Sequence, residues 1–450
     1  MKNFARFASL LVSFAIPCAI LAQTAIDPTA RMQQVIQNYA DSKSFMGAVL
    51  VAEKDKVLIQ QGYGSADLEW KVPNTATTKF RIGSITKQFT AASILLLQER
   101  GKLKIEEPVK TYLPDAPATW DKITVYNLLT HTSGIPNFTG LPEFPAVMRQ
   151  EKTPDEVIAL FHDKPLDFEP GTKFTYSNSN YILLGRIIEK LSGASYADFV
   201  QKNIFTPVGM QDSGLDSNTA ILPQRAQGYE SRPNGLERAA YISMTVPYAA
   251  GAFYSTVGDL LKWERALFGG KVLSPASLHT MTTPFKDEYG TGLFIKGEKD
   301  HNVITHGGSI NGFEASLNFY PDRQLTVIVL GNIGNDVPDT IAGQLGKVLY
   351  GEKVVVSSDR KVVPVAPAVL AEYVGTYKSP AFGLTISVEG DHLMSTTPGG
   401  KKVPLYPESQ TKFFLKELDA QVEFVRDPAT KKVTHFLVTQ NGKVREVPKQ

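Results

Sequence analysis

Apolar positions recur along the chain with two different periods. Over 24–43, Met32, Val35, Ile36 and Tyr39 fall at helical spacing, which predicts an amphipathic helix. The pattern then shortens: 46–52 and 57–62 read as strands joined by the turn EKDK. From 80 to 101 the chain reads as a helix closed by glycine. Between about 102 and 240, helical pieces alternate with Pro- and Gly-rich loops. One piece begins TPDE, where Thr153 can cap, Pro154 takes the first helical position and Glu156 can reciprocate. Further helices are predicted over 179–191 and 255–267.

Strand texture returns with VITHGGSINGF, EASLNFY and LTVIVLGN, the last two joined by a turn at Pro321, Asp322 and Arg323; a helix near 336–350 comes next. The order of strands, a long helical insertion, strands and a closing helix predicts an α+β domain. It is an antiparallel sheet flanked by helices, with a mostly helical subdomain inserted between its halves. A Val/Pro linker occupies 356–367. Beyond it, short strands are separated by turns at EGD, PGGK, DPAT and NGK, with no helical period after about Tyr377. This predicts a separate small all-β domain, barrel-like, over 368–450.

The first 22 residues stand apart. Lys2 and Arg6 precede an apolar run over 7–21, and Ala22 and Ala25 offer cleavage points. This is the pattern of an export signal, too short for a membrane span. The expected organisation is therefore a signal at 1–22, the α+β domain at 23–355, the linker and the β-domain. Location outside the cytoplasm, periplasmic or secreted, is the corresponding expectation.

Charges nearly cancel, with 47 basic against 45 acidic side chains, and removal of Lys2 and Arg6 takes the net charge from +2 to zero. That balance speaks against a nucleic-acid partner and against a polybasic membrane patch. The single cysteine, Cys18, lies in the export segment, so the chain beyond that segment has no disulfide, thiol nucleophile or thiolate metal site. No metal-binding spacing is present and no cofactor is expected. The expected partner is a small-molecule or peptide substrate; the sequence is silent on oligomeric state.

Three short stretches carry chemistry. In FRIGSITK, Ser84 and Lys87 are three apart at a helix start and share one face. Two readings stand: a capping serine with a solvated lysine, or a nucleophile beside its proton acceptor, the lysine pKa lowered by burial. In FEPGTKFTYSNSNYILLG, Tyr176 offers a phenol that can relay protons and Asn178 an amide that can hold a substrate carbonyl. In VITHGGSINGF, His306 precedes Gly307 and Gly308, which let another backbone approach the strand closely, as an extended substrate requires. His131, in LLTHTSG, reads as ordering a loop near this site, and Glu169 as a surface charge. No G-x-S-x-G elbow is present.

In this order SITK, YSN and HGG resemble the three motifs of the penicillin-recognising serine hydrolases, in the branch of class C β-lactamases, D-alanyl-D-alanine carboxypeptidases and esterases. FRIGSITK, ITVYNLLTHTSGI, NIFTPVGMQDSG and AGAFYSTVGDLLKW support the likeness, which covers about 28–350. The tail from LAEYVGTY is similar to the lipocalin-like domain appended in some members. The resemblance implies a β-lactamase-like fold and an acyl-enzyme at Ser84, with Lys87 as proton acceptor or electrostatic partner of the true base, and Tyr176 as proton shuttle to the leaving group or deacylation base. Asn178 would orient the Lys87 amine or the substrate amide, and the N–H groups of Ser84 and Ser309 would form the oxyanion hole. D-amino-acid peptides or esters are the implied substrates; a true β-lactamase and an inactive peptidoglycan- or partner-binding homologue are the alternatives. One departure stands out: the third motif starts with His306 where β-lactamases of this type have Lys. A weaker cation there should bind a substrate carboxylate less well, and its protonation at lower pH should favour carboxylate substrates.

Overall fold

The structure is a computed structural model. It describes residues 27–450 except 233–234, 299, 381, 401, 417–419 and 441–442. The export segment expected at 1–22 lies outside the described residues. Among the described residues, no helix is long and apolar enough to cross a membrane.

The central sheet has six antiparallel strands, β1 (Gly47–Glu53), β2 (Lys56–Tyr63), β3 (Phe294–Glu298), β4 (His301–Ile310), β5 (Phe313–Tyr320) and β6 (Leu325–Gly331), in the order β3-β4-β5-β6-β1-β2. Chain ends far apart in sequence thus lie side by side, Gly47 opposite Gly331 and Glu53 opposite Leu325. The runs AVLVA and VIVL are apolar throughout because the sheet is covered on both faces. Val49, Val51, Val327 and Val329 face helices α1 (Pro28–Asp41) and α5 (Val337–Leu349). Ala48, Leu50, Ile328 and Leu330 face the larger core on the other side.

That larger core holds helix α2 (Thr86–Glu99), in which every residue from Thr86 to Leu97 is buried. A helix buried all round is the centre of a domain, not its surface. The sequence predicts helix from residue 80, but Phe80–Arg81 is a strand paired with Phe253–Ser255, and Gly83–Ile85 is a 3₁₀ turn leading into α2. Cross-strand hydrogen bonds to the second segment outcompete local helix at these positions. Around α2 pack α3 (Asn178–Ser192) and α4 (Val257–Phe268), the latter capped by Thr256. The capping box at Thr153 and Glu156 is formed, opening a short helix at Pro154–Ile158.

The C-terminal part is an eight-stranded antiparallel meander, from Gly375–Ser379 to Lys443–Pro448. It is nearly closed into a barrel: the Gln450 N–H donates to the Thr376 carbonyl at 2.9 Å, beside the Tyr377–Lys449 bridge. Tyr373, Tyr377, Phe413, Phe424 and Phe436 fill its interior.

Candidate active site

Ser84 sits half-buried in the 3₁₀ turn, at the N-terminal end of α2. One helical turn on, Lys87 is fully buried. Its Nζ lies 2.9 Å from Ser84 Oγ, 2.9 Å from Asn178 Oδ1 and 2.7 Å from the Ala250 carbonyl oxygen. Burial holds the Lys87 pKa well below its ordinary value. A neutral amine fits this cage: it donates to the two carbonyl oxygens and accepts the Ser84 hydroxyl proton. An ammonium fits it too, donating to all three. The solvated-lysine reading is thereby excluded.

Asn178 is aimed by its neighbours. Its N–H donates to Asn137 Oδ1 at 3.0 Å and its Nδ2 to Thr139 Oγ1 at 3.3 Å, which leaves Oδ1 toward Lys87. The loop supplying Asn137 and Thr139 is sewn to the start of α3. Ser179 Oγ donates to the Pro136 carbonyl at 2.6 Å and Ser133 Oγ to Asn180 Oδ1 at 2.7 Å. His131 anchors the same seam. It is fully buried, has φ of 55°, and its Nδ1 accepts from the Ser177 N–H at 3.2 Å. Its ring lies 4.2 Å from that of Tyr176. Burial, then the positive Lys87, hold the His131 pKa well below the ordinary value, so it is a neutral backing plate for Tyr176.

Tyr176 packs its ring 4.8 Å from Lys87 Nζ. Burial raises its phenol pKa, the neighbouring Ser84 side chain pulling weakly the other way. The group stays protonated and can serve as a proton donor. Glu169 is exposed, 3.8 Å from Lys122, as a surface charge.

The third motif departs from its expected placement. Gly308 leaves room for another backbone, but that backbone is the protein's own. A Cβ there would fall 1.9 Å from the Ile82 carbonyl oxygen and 3.1 Å from the Ser84 nitrogen. Gly83, at φ 49°, makes the reciprocal approach: a Cβ there would fall 2.8 Å from the Ser309 nitrogen. The backbones carrying the Ser84 and Ser309 amides are thus pressed together. Gly307 instead turns its missing side chain toward Asp339, 3.6 Å away.

His306 is off the cleft. It is buried, Nδ1 donating to the Gly307 carbonyl at 2.6 Å and Nε2 accepting from the Tyr289 hydroxyl at 3.3 Å. Phe294, Tyr289 and Tyr176 surround its ring. Burial, with the positive Lys87 as second cause, lowers its pKa to about 3. The expectation of a pH-dependent cation at the substrate carboxylate is corrected here, because an imidazole walled in by aromatic rings loses the hydration its charged form needs.

Ser84 opens on a cleft of about 270 Å³. Its walls are Phe138, Phe144, Ile242, Val246, Pro247 and Ile310, with Thr139, Asn178, Ser309 and Asn311 as polar points. Sequence reasoning missed the Ala250 carbonyl, Asn137, Thr139 and Tyr289. The first lies in AGAFYSTVG, whose small residues are the signal: they let the short helix Tyr248–Gly251 approach Lys87. Among the described residues, no group of three or more His, Cys, Asp or Glu is placed to hold a metal ion.

Comparison with known proteins adds to this geometry. The Beta-lactamase family model matches residues 32–348, and a Domain of unknown function (DUF3471) matches 359–447. The chain is 29% identical over 445 residues to penicillin-binding protein 4* of Bacillus subtilis, covering 92% of this chain and 97% of that one. It is 27% identical over 310 residues to the teichoic acid D-alanine hydrolase of Staphylococcus aureus, covering 67% and 74%. Among solved structures, the octameric penicillin-binding protein homologue from Pyrococcus abyssi superposes with a TM-score of 0.67 at 26% identity, covering 94% and 98%. A D-stereospecific amidohydrolase from Streptomyces sp. gives 0.62 at 25% identity, covering 72% and 99%.

Proposed function

The chain belongs to the beta-lactamase family and is a serine hydrolase, and from that premise we propose that it acts through an acyl-enzyme at Ser84 on amides or esters derived from D-amino acids. The observation that carries this reading is Lys87 Nζ, buried, depressed in pKa and 2.9 Å from Ser84 Oγ. Ser84 Oγ attacks the carbonyl carbon and its proton passes to the neutral Lys87 amine. The oxyanion takes the N–H groups of Ser84 and Ser309, at the positive end of α2. As the tetrahedral species collapses, Tyr176 gives its proton to the leaving group and is recharged from Lys87. Water releases the acyl group by the same path in reverse.

D-amino-acid chemistry rests on the names of the relatives, a teichoic acid D-alanine hydrolase and a D-stereospecific amidohydrolase. Export rests on residues 1–22, and N-terminal sequencing of the secreted or periplasmic protein tests it. The test of the site is covalent labelling by a fluorophosphonate. Wild type should label and Ser84→Ala should not, with unchanged circular dichroism; a labelled Ala variant refutes the assignment.

A further inference from the structure

The cleft in front of Ser84 has no charged residue among those that line it. Six of its walls are apolar side chains, and Phe138 and Phe144 meet edge to face at 5.7 Å. Its polar points are neutral amides and hydroxyls. Lys87 and Arg81, the cations next to Ser84 in sequence, are already committed. Lys87 is held by Ser84, Asn178 and Ala250. Arg81, three residues before Ser84, is 2.6 Å from Asp216. Lys296 lies on β3 with its ammonium 5.3 Å from the Phe294 ring. His306, at the motif position where a cation would meet a carboxylate, is walled off by Tyr289, Phe294 and Tyr176 and spends both ring nitrogens on Gly307 and Tyr289.

A carboxylate brought into such a cleft loses water and gains no cation, which is costly. An apolar group gains by the transfer. The volume, about 270 Å³, is just below the usual range of roughly 300–1,000 Å³ for ligand pockets, so it suits one compact group rather than an extended peptide.

Resting on the Ser84 reading above, we infer that the cleft selects uncharged acyl donors carrying a compact apolar group, and discriminates against a carboxylate on either side of the scissile bond. Within the D-amino-acid class this means N-capped esters and amides rather than peptides with a free D-terminal carboxylate. β-Lactams, which bear that carboxylate, fall on the disfavoured side.

Two matched pairs test it on the full chain: p-nitrophenyl hexanoate against mono-p-nitrophenyl adipate for the acyl side, and butyrate esters of 3-hydroxybenzamide against 3-hydroxybenzoate for the leaving side. The neutral member of each pair should have at least about tenfold higher kcat/KM, the effect of some 1.4 kcal/mol. The ratio should be the same at pH 6 and pH 8, because His306 is neutral at both. Ile242→Lys, which puts a cation on the wall, should move the adipate ratio toward unity. Equal or better turnover of the anions by wild type overturns the inference, as does a labelled enzyme that turns over neither pair; the Ser84 reading survives both. Failure of wild type to label, or hydrolysis surviving in Ser84→Ala, overturns that reading and the inference with it.

Discussion

At the scale of single residues, the candidate site is a lysine freed of its proton by where it sits. Lys87 is a poor proton acceptor in water, and burial is what lowers its pKa. The acidic limb of kcat/KM should therefore lie well below 10.5, the ordinary lysine value; a pH profile whose limb falls at that value would mean a solvated lysine and a different base. Lys87→Ala and Tyr176→Phe should each lower turnover by about 10²–10⁴, the range for positioned acid–base groups. Losses of only a few-fold in steady-state assays would remove both from the proton path. Gly308→Ala drives a methyl into the Ile82 carbonyl and separates the Ser84 and Ser309 amides. Turnover should fall by about 10²–10³, as when an oxyanion donor is lost, and near-wild-type activity would show that these amides do not hold the oxyanion.

At the scale of elements, α2 and α4 show how burial decides a titration. Glu264 is buried on α4, its Oε2 has no partner among the described residues, and burial raises its pKa to about 8. The folded state thus keeps a proton that the unfolded state releases above 4.5, its ordinary value. Stability therefore falls as pH rises from there to about 8, and the penalty is absent below that window. Glu264→Gln carries no such titration. It should melt a few degrees above wild type at pH 8, by roughly 1–2 °C per kcal/mol for a chain of this size, and the gap should close at pH 5. Melting curves that run parallel across this range would mean that Glu264 is solvated.

At the scale of the molecule, the barrel core shares no residue with the cores on either side of the central sheet. The two parts are tied by polar contacts through the connecting segment. Arg31 pairs with Asp359, Ser357 Oγ donates to Asn38 Oδ1 at 2.6 Å, and Arg360 lies 3.2 Å from Glu408. Deleting residues 366–450 should leave a soluble, cooperatively melting protein that still labels at Ser84. An insoluble or molten truncation would mean that the barrel completes the hydrolase core.

Local pattern alone carried the elements whose residues answer to their own neighbours. The helix at the start, the hairpin strands around Pro321, the Thr153–Glu156 box and the β-rich tail arise from spacing and capping, whose physics is short-range. Ser84, Lys87, Tyr176 and Asn178 were singled out by the resemblance of SITK and YSN to family motifs, each stretch being weak by itself, and the fold brings Lys87 Nζ within 2.9 Å of Ser84 Oγ and of Asn178 Oδ1. Three matters were decided only by tertiary structure. Phe80–Arg81 became strand because a segment some 170 residues away offers it hydrogen bonds. Gly308 of the third motif admits Ile82–Ser84 rather than a substrate, because β4 packs against that turn. His306 lost its charge because rings from residues 176, 289 and 294 close over it. Protonation and access depend on what the folded chain puts around a group, and no window of local sequence contains that.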